Sequence, residues 1–184
     1  MAIKTFTTGE VLTASDTNTY LNSGGLVYIT QANFASSGVT VANCFSSVYD
    51  NYRLVIQNTT ATTDTALNLG FNASTGATYY GFGSYQNYNS TTTTGIANAV
   101  ATARAQIGII GSVNCCAIID VYSPFLSTYT QAASSGNTQS GSPQRNTFTI
   151  LDYGGVSNTG FSINVTSPQT MGGGSVIVYG YRKA

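Results

Sequence analysis

From Leu26 to the C-terminus the chain breaks into short strand-like runs, each closed by a cluster of Gly, Asn, Asp, Ser or Pro. That rhythm leaves no window for a long helix. It points instead to antiparallel strands stacked as sheets. Two runs anchor the reading. Val48 to Gln57 (VYDNYRLVIQ) and Ser175 to Arg182 (SVIVYGYR) read as buried or half-buried strands, and both are expected in the core of one sandwich.

The runs between them follow in order. Leu26 to Phe34, Gly38 to Phe45 and Ala66 to Phe71 read as strands. Thr78 to Tyr88 is aromatic and glycine-spaced, and Asn89 to Gly95 is a polar loop or hairpin tip. Ile96 to Ala103 fits either a helical turn or a strand. Gln106 to Ile110 and Cys115 to Tyr122 flank Gly111–Asn114 as an expected hairpin, and Pro124 stops the second run. Ser127 to Ala133 is a weaker strand, and the polar stretch Ala133 to Gln144 reads as an exposed loop. Asn146 to Tyr153 is a strand. Gly160 to Val165 alternates cleanly, with Phe161, Ile163 and Val165 on the inward side. About ten such strands predict an all-β fold: an antiparallel β-sandwich, jelly-roll-like.

Residues 1–25 differ, and divide the chain into an N-terminal docking arm (1–25) and a β-sandwich domain (26–184). Phe6 to Leu12 reads as extended. Thr13, Ser15 and Asp16 offer caps for one or two helical turns over Ala14 to Leu21. So short a helix does not stand alone and must dock. Its apolar residues Phe6, Val11, Leu12, Tyr20 and Leu21 are candidate assembly contacts, as are Tyr179, Tyr181 and Arg182 at the far end.

Composition narrows the function. Only 7% of residues are charged and the net charge is zero, so the chain carries no electrostatic footprint for nucleic acid or an anionic membrane. A neutral surface is also poorly protected against association. No segment approaches the roughly 20 apolar residues of a membrane helix. The first residues lack the apolar run of a signal peptide, so synthesis is expected in the cytosol without a cleaved signal. The three cysteines, Cys44, Cys115 and Cys116, read as small buried hydrophobes rather than a disulfide framework, and without any His a zinc site lacks a fourth ligand. No cofactor or metal site is expected.

Catalysis has little to work with. There is no His for acid–base chemistry or a Ser-His-Asp triad. Of six acidic residues, Asp120 and Asp152 beside apolar runs are the plausible carboxylate pair, and ion pairing with Arg53, Arg104 or Arg182 is the plainer role. No enzymatic activity is expected. Sugar recognition is better supplied: Tyr79, Tyr80, Phe82, Tyr85 and Tyr88, with Gln86, Asn87 and Asn89, combine aromatic faces with amide donors. The plainer reading of those rings is core or subunit contact.

One motif carries a family resemblance. Residues 9–21, Gly-Glu-Val-Leu-Thr-Ala-x-x-x-Asn-x-Tyr-Leu within FTTGEVLTASDTNTYLNSGGLVYI, resemble a leader of bacteriophage virion proteins, especially tail-fibre and tail-associated subunits. YDNYRLVI (49–56), DVYSPFLSTYT (120–130) and VYGYRKA (178–184) look like the β-sandwich domains of such proteins in phages of marine bacteria and cyanobacteria. The resemblance implies a non-enzymatic virion subunit, homotrimeric, assembled in the host cytoplasm. Its partners would be itself, other virion proteins and, at the aromatic stretch, a host-surface glycan. The alternative is a capsid decoration protein cementing the head shell.

Overall fold

The computed structural model describes residues 7–11, 13, 25–74, 76, 78–138 and 143–182. They form thirteen strands: β1 (Leu26–Asn33), β2 (Val39–Val41), β3 (Asn51–Ala61), β4 (Thr65–Phe71), β5 (Tyr79–Asn87), β6 (Thr93–Thr102) and β7 (Ala105–Ile110). Then come β8 (Cys115–Tyr122), β9 (Thr130–Thr138), β10 (Gln144–Asp152), β11 (Phe161–Val165), β12 (Met171–Gly172) and β13 (Ser175–Tyr181). No helix occurs among the described residues. Nine strands make one sheet, ordered β1-β13-β3-β8-β9-β10-β5-β6 with β12 also on β3; the other four run β2-β11-β4-β7. Every pairing is antiparallel. The fold is an antiparallel β-sandwich divided nine strands to four.

The core follows from alternation. Tyr52, Leu54 and Ile56 of β3, with Val176 and Val178 of β13, face Leu67, Leu69 and Phe71 of β4 and Phe161, Ile163 and Val165 of β11. β3 and β13 are direct neighbours, with Val176 opposite Ile56 and Val178 opposite Leu54. Burial of each such side chain contributes about 1.5–3 kcal/mol. Phe45, from the loop after β2, plugs one end, its ring 4.6 Å from Tyr52 and 5.8 Å from Phe161. Both buried phenols have partners. Tyr52 donates to the Ser46 carbonyl at 2.9 Å and accepts from its N–H at 2.7 Å. Tyr79 accepts from the Phe71 N–H at 2.6 Å.

Large side chains give way to small polar ones where β7 packs on β9 and β10. The pairing of β7 with β4 skips Ile107: Leu67 lies opposite Gly108 and Asn68 opposite Gln106. Ile107 is thus a bulge residue, and its side chain is fully buried. Its carbonyl accepts the hydroxyl of Ser134 on β9, and the Ile109 carbonyl accepts that of Thr138. Asn146 of β10, 2% exposed, donates to Thr138 Oγ1 at 3.4 Å. Two glycines mark other close approaches. A Cβ at Gly83 would sit 2.1 Å from the Phe148 ring opposite it, and one at Gly180 would sit 2.5 Å from the Tyr49 ring.

Three expectations change. Gly111–Asn114 is not a hairpin, because β7 lies in the four-stranded sheet and β8 in the nine-stranded one; the segment crosses between layers. Ala133 to Thr138 is not an exposed loop but most of β9, whose Ser134 and Thr138 point inward at the β7 backbone with buried Gly136 between them. Residues Thr7 to Glu10 are not extended: Thr8 and Gly9 form a turn, closed by Glu10 N–H to the Thr7 carbonyl at 3.0 Å. The helical turns expected over Ala14 to Leu21 lie outside the described residues.

Ile163→Ala should cost about 2–5 kcal/mol in urea unfolding, because its site is closed on every side. Ser134→Ala should cost about 1–3 kcal/mol despite removing one oxygen, because the buried Ile107 carbonyl loses its side-chain donor. A Ser134→Ala protein as stable as the parent would remove the hydroxyl from the forces joining the sheets.

Candidate functional site

Only one face of the nine-stranded sheet meets the second sheet. Its other face is covered by no described segment, and in an antiparallel sandwich such a face is ordinarily polar. Here three strands run apolar through both phases: Leu54-Val55-Ile56, Ala117-Ile118-Ile119 and Val176-Ile177-Val178. Leu54, Ile56, Ile119, Val176 and Val178 are buried, so Val55, Ile118 and Ile177, in the opposite phase of their strands, stand outward. Ile177 is opposite Val55 and Val55 opposite Ile118, giving a cross-strand apolar row that continues to Ser135. Ile118 is 45% exposed. Beside it Val55, Gln57, Cys116, Ile118, Ser135 and Asn137 line a shallow depression of about 350 Å³.

The adjacent row runs Tyr28, Tyr179, Arg53, Asp120, Ala133, Thr149 and Phe82 across seven strands. Tyr28 packs edge-on to Tyr179 with ring centroids 6.2 Å apart. At the centre, Arg53 grips Asp120 with two bonds of 2.7 and 2.8 Å. Tyr181 donates to Asp120 Oδ1 at 2.7 Å, and the guanidinium lies 5.5 Å from the Tyr181 ring centroid. The Arg53 guanidinium holds the Asp120 carboxyl below its usual range, and the same bond raises Arg53. Burial, reinforced by the Asp120 carboxylate, pushes the Tyr181 phenol up to about 12. The face therefore has a neutral, internally satisfied polar centre within an aromatic and aliphatic surround.

Toward the far end, Tyr80, Phe82, Gln131, Thr149 and Leu151 line a second depression of about 500 Å³. The Tyr80 ring lies 4.8 Å from Tyr153, and Phe82 is 63% exposed. Tyr88, in the turn after β5, donates to Asn137 Oδ1 at 3.0 Å and so reaches the same face.

Alternation separates the aromatic candidates. Tyr80, Phe82 and Gln86 face outward, and Tyr88 is exposed. Tyr79 is not available for surface contact: it is 1% exposed, packs on Phe71 at 6.1 Å, and burial pushes its phenol up to about 12. Tyr85 is half-buried, on the inner side opposite Asn146. Of the assembly candidates, Tyr179 and Tyr181 stand on the open face, and Arg182 donates its N–H to the Gly25 carbonyl beside β1. Val11 is 79% exposed, and Phe6, Leu12, Tyr20 and Leu21 lie outside the described residues. Val55, Ile118 and Ile177 escaped sequence reasoning, although the unbroken apolar triplets were the available signal.

The carboxylates do not converge. Asp120 is on the open face, whereas Asp152 is buried inside, accepting from Ser74 Oγ and the Gly154 N–H. Cys44 and Cys115 are buried, with the Cys44 thiol pushed up to about 12 by burial, but Cys116 is exposed, contrary to the all-buried expectation. Among the described residues no three of Cys, Asp and Glu gather as metal ligands. No protein-family model, no curated protein and no solved structure matches this chain.

The Asp120 carboxyl titrates lower in the fold than unfolded, so its contribution holds above about pH 4 and is lost as pH falls through the folded value. Tyr79 and Tyr181 titrate higher in the fold, so theirs holds below about pH 10 and is lost as pH rises toward 12. Melting temperatures across both limbs should show Asp120→Asn flattening the acid limb and Tyr181→Phe part of the alkaline one. Limbs unchanged in these variants would refute the assignment.

Proposed function

We propose that this chain is a non-enzymatic structural subunit of a bacteriophage virion, a tail fibre or tail-associated protein, that works by mating its open sheet face with sibling copies. The observation that carries this reading is the Ile177–Val55–Ile118 row, flanked by Tyr28, Tyr122, Phe82 and Tyr80 on a face that no described segment covers. Aromatic and aliphatic side chains around a neutral, mutually paired polar centre are the chemistry of a subunit interface. Zero net charge adds no repulsion between copies. The virion assignment rests on the resemblance of residues 9–21 to phage leaders, which also implies a threefold count and assembly in the host cytoplasm.

Cys116 makes the test specific, because it stands on this face while Cys44 and Cys115 are buried. In the purified parent, the mass should exceed one copy and Cys116 should react slowly with a thiol reagent. Ile118→Lys should lower the mass, speed the labelling of Cys116 and leave the melting temperature close to the parent's. A parent that is monomeric with a freely reactive Cys116 would end the proposal.

A second reading is favoured by the depression at Tyr80 and Phe82, where two exposed rings lie beside Gln131 and Thr149. That pairing of ring faces with amide and hydroxyl groups suits a neutral host-surface glycan. Virions carrying Tyr80→Ala and Phe82→Ala should assemble normally and adsorb poorly; unchanged adsorption would remove the glycan.

A further inference from the structure

A long, straight, uncharged strand at the end of a sheet is a pairing template, and folds usually blunt such edges with charge, proline, bulges or brevity. Three of the four sheet ends here are short or interrupted at mid-strand, while the fourth, β6, slips register only past its sixth residue. β2 is three residues long. β1 slips register between Tyr28 and Thr30. β7 follows Arg104 and bulges at Ile107. β6 differs. It is ten residues long, contains no charged residue and no proline, and pairs among the described residues with β5 alone. Its register slip lies beyond Asn98, so Thr93 to Asn98 run straight against Gly81 to Gln86. Thr93, Thr94 and Gly95 are exposed.

We infer that β6 is a second assembly contact, at which two copies of this chain pair their β6 strands antiparallel about a twofold axis and so extend the nine-stranded sheet across both molecules. The partner is a second copy because the edge is complementary to itself. An antiparallel pair about a twofold brings each strand opposite its own sequence, and like charges would then meet; β6 has none. Such a pair keeps the open and inner faces continuous only when residues of one face meet, so a residue on the axis lies opposite itself. Gly95, within the straight Thr93–Asn98 stretch and exposed, is that residue, with Thr94 opposite Ile96 of the second copy. Nothing lies within 4 Å of a Cβ built there, so the axis position has room for a side chain on each copy.

The inference takes from the proposed function only that copies self-associate; its contact is the edge, not the open face. The test uses the full chain. Gly95→Lys and Gly95→Glu each have room in the fold and no positive φ to relieve. Each alone should lose the twofold mass increment and the concentration-dependent hydrogen-exchange protection of the β6 amides. An equimolar mixture of the two should regain both, because lysine then faces glutamate across the axis. Gly95→Ala should behave as the parent. Parental mass in Gly95→Lys, failure of the mixture to recover, or an odd copy number indifferent to Gly95 would overturn the β6 pair. An effect of Ile118→Lys without any effect at Gly95 would retain the open-face assembly and discard only the edge contact.

Discussion

The hydroxyl-to-carbonyl bonds from Ser134 and Thr138 to the β7 backbone tie the two layers of this protein together at the end where apolar packing is thinnest. They exist because β7 carries a bulge. Ile107 drops out of its ladder with β4, sends its side chain into the core and leaves its carbonyl for the opposite sheet. A buried carbonyl without a donor would cost more than the bond contributes when made, so β9 must present a hydroxyl there. Asn146 shares that closeness: its Oδ1 would lie 3.2 Å from a Cβ at Gly108 of β7 and 3.3 Å from one at Gly136, and its amide donates to Thr138 Oγ1.

The two-layered arrangement accounts for the open face, because a second sheet covers one face of its neighbour and not the other. The small sheet protects one side of β3, β8 and β13 and leaves their other side standing with Val55, Ile118 and Ile177 outward. In a solitary sandwich those positions would be polar. Instead the chain places its best-satisfied polar network, Arg53 with Asp120 and Tyr181, at the middle of that surface. A paired, hydrogen-bonded ion network can be covered at smaller cost than free charges, and this is consistent with a face that another protein surface covers.

Much of the architecture was legible in the residues. The strands with strong alternation or strong apolar runs fall where expected: Thr65–Phe71, Cys115–Tyr122, Phe161–Val165 and Ser175–Tyr181. β9 was not legible, because Ser, Gly, Asn and Thr also make loops, and only the nearness of β7 turns them into an inner face. The false hairpin at Gly111–Asn114 has a related cause. Two apolar runs joined by a short polar link look alike whether they pair with each other or bury on opposite layers. Within the candidate site, alternation alone separated outward Tyr80 and Phe82 from inward Tyr79, but could not say which face of the strand would lie open.

Local chemistry determined that this chain is all-β, that its strands pair antiparallel, and that neither histidine chemistry nor a disulfide framework is available to it, because periodicity and residue inventory are properties of the string itself. Strand order, the bulge at Ile107, the meeting of Arg53 with Asp120 and the sheet face that no described segment covers were decided by tertiary structure. Each depends on which distant strands become neighbours, and the pleat records only which side of its own strand a residue takes, not what stands across from it.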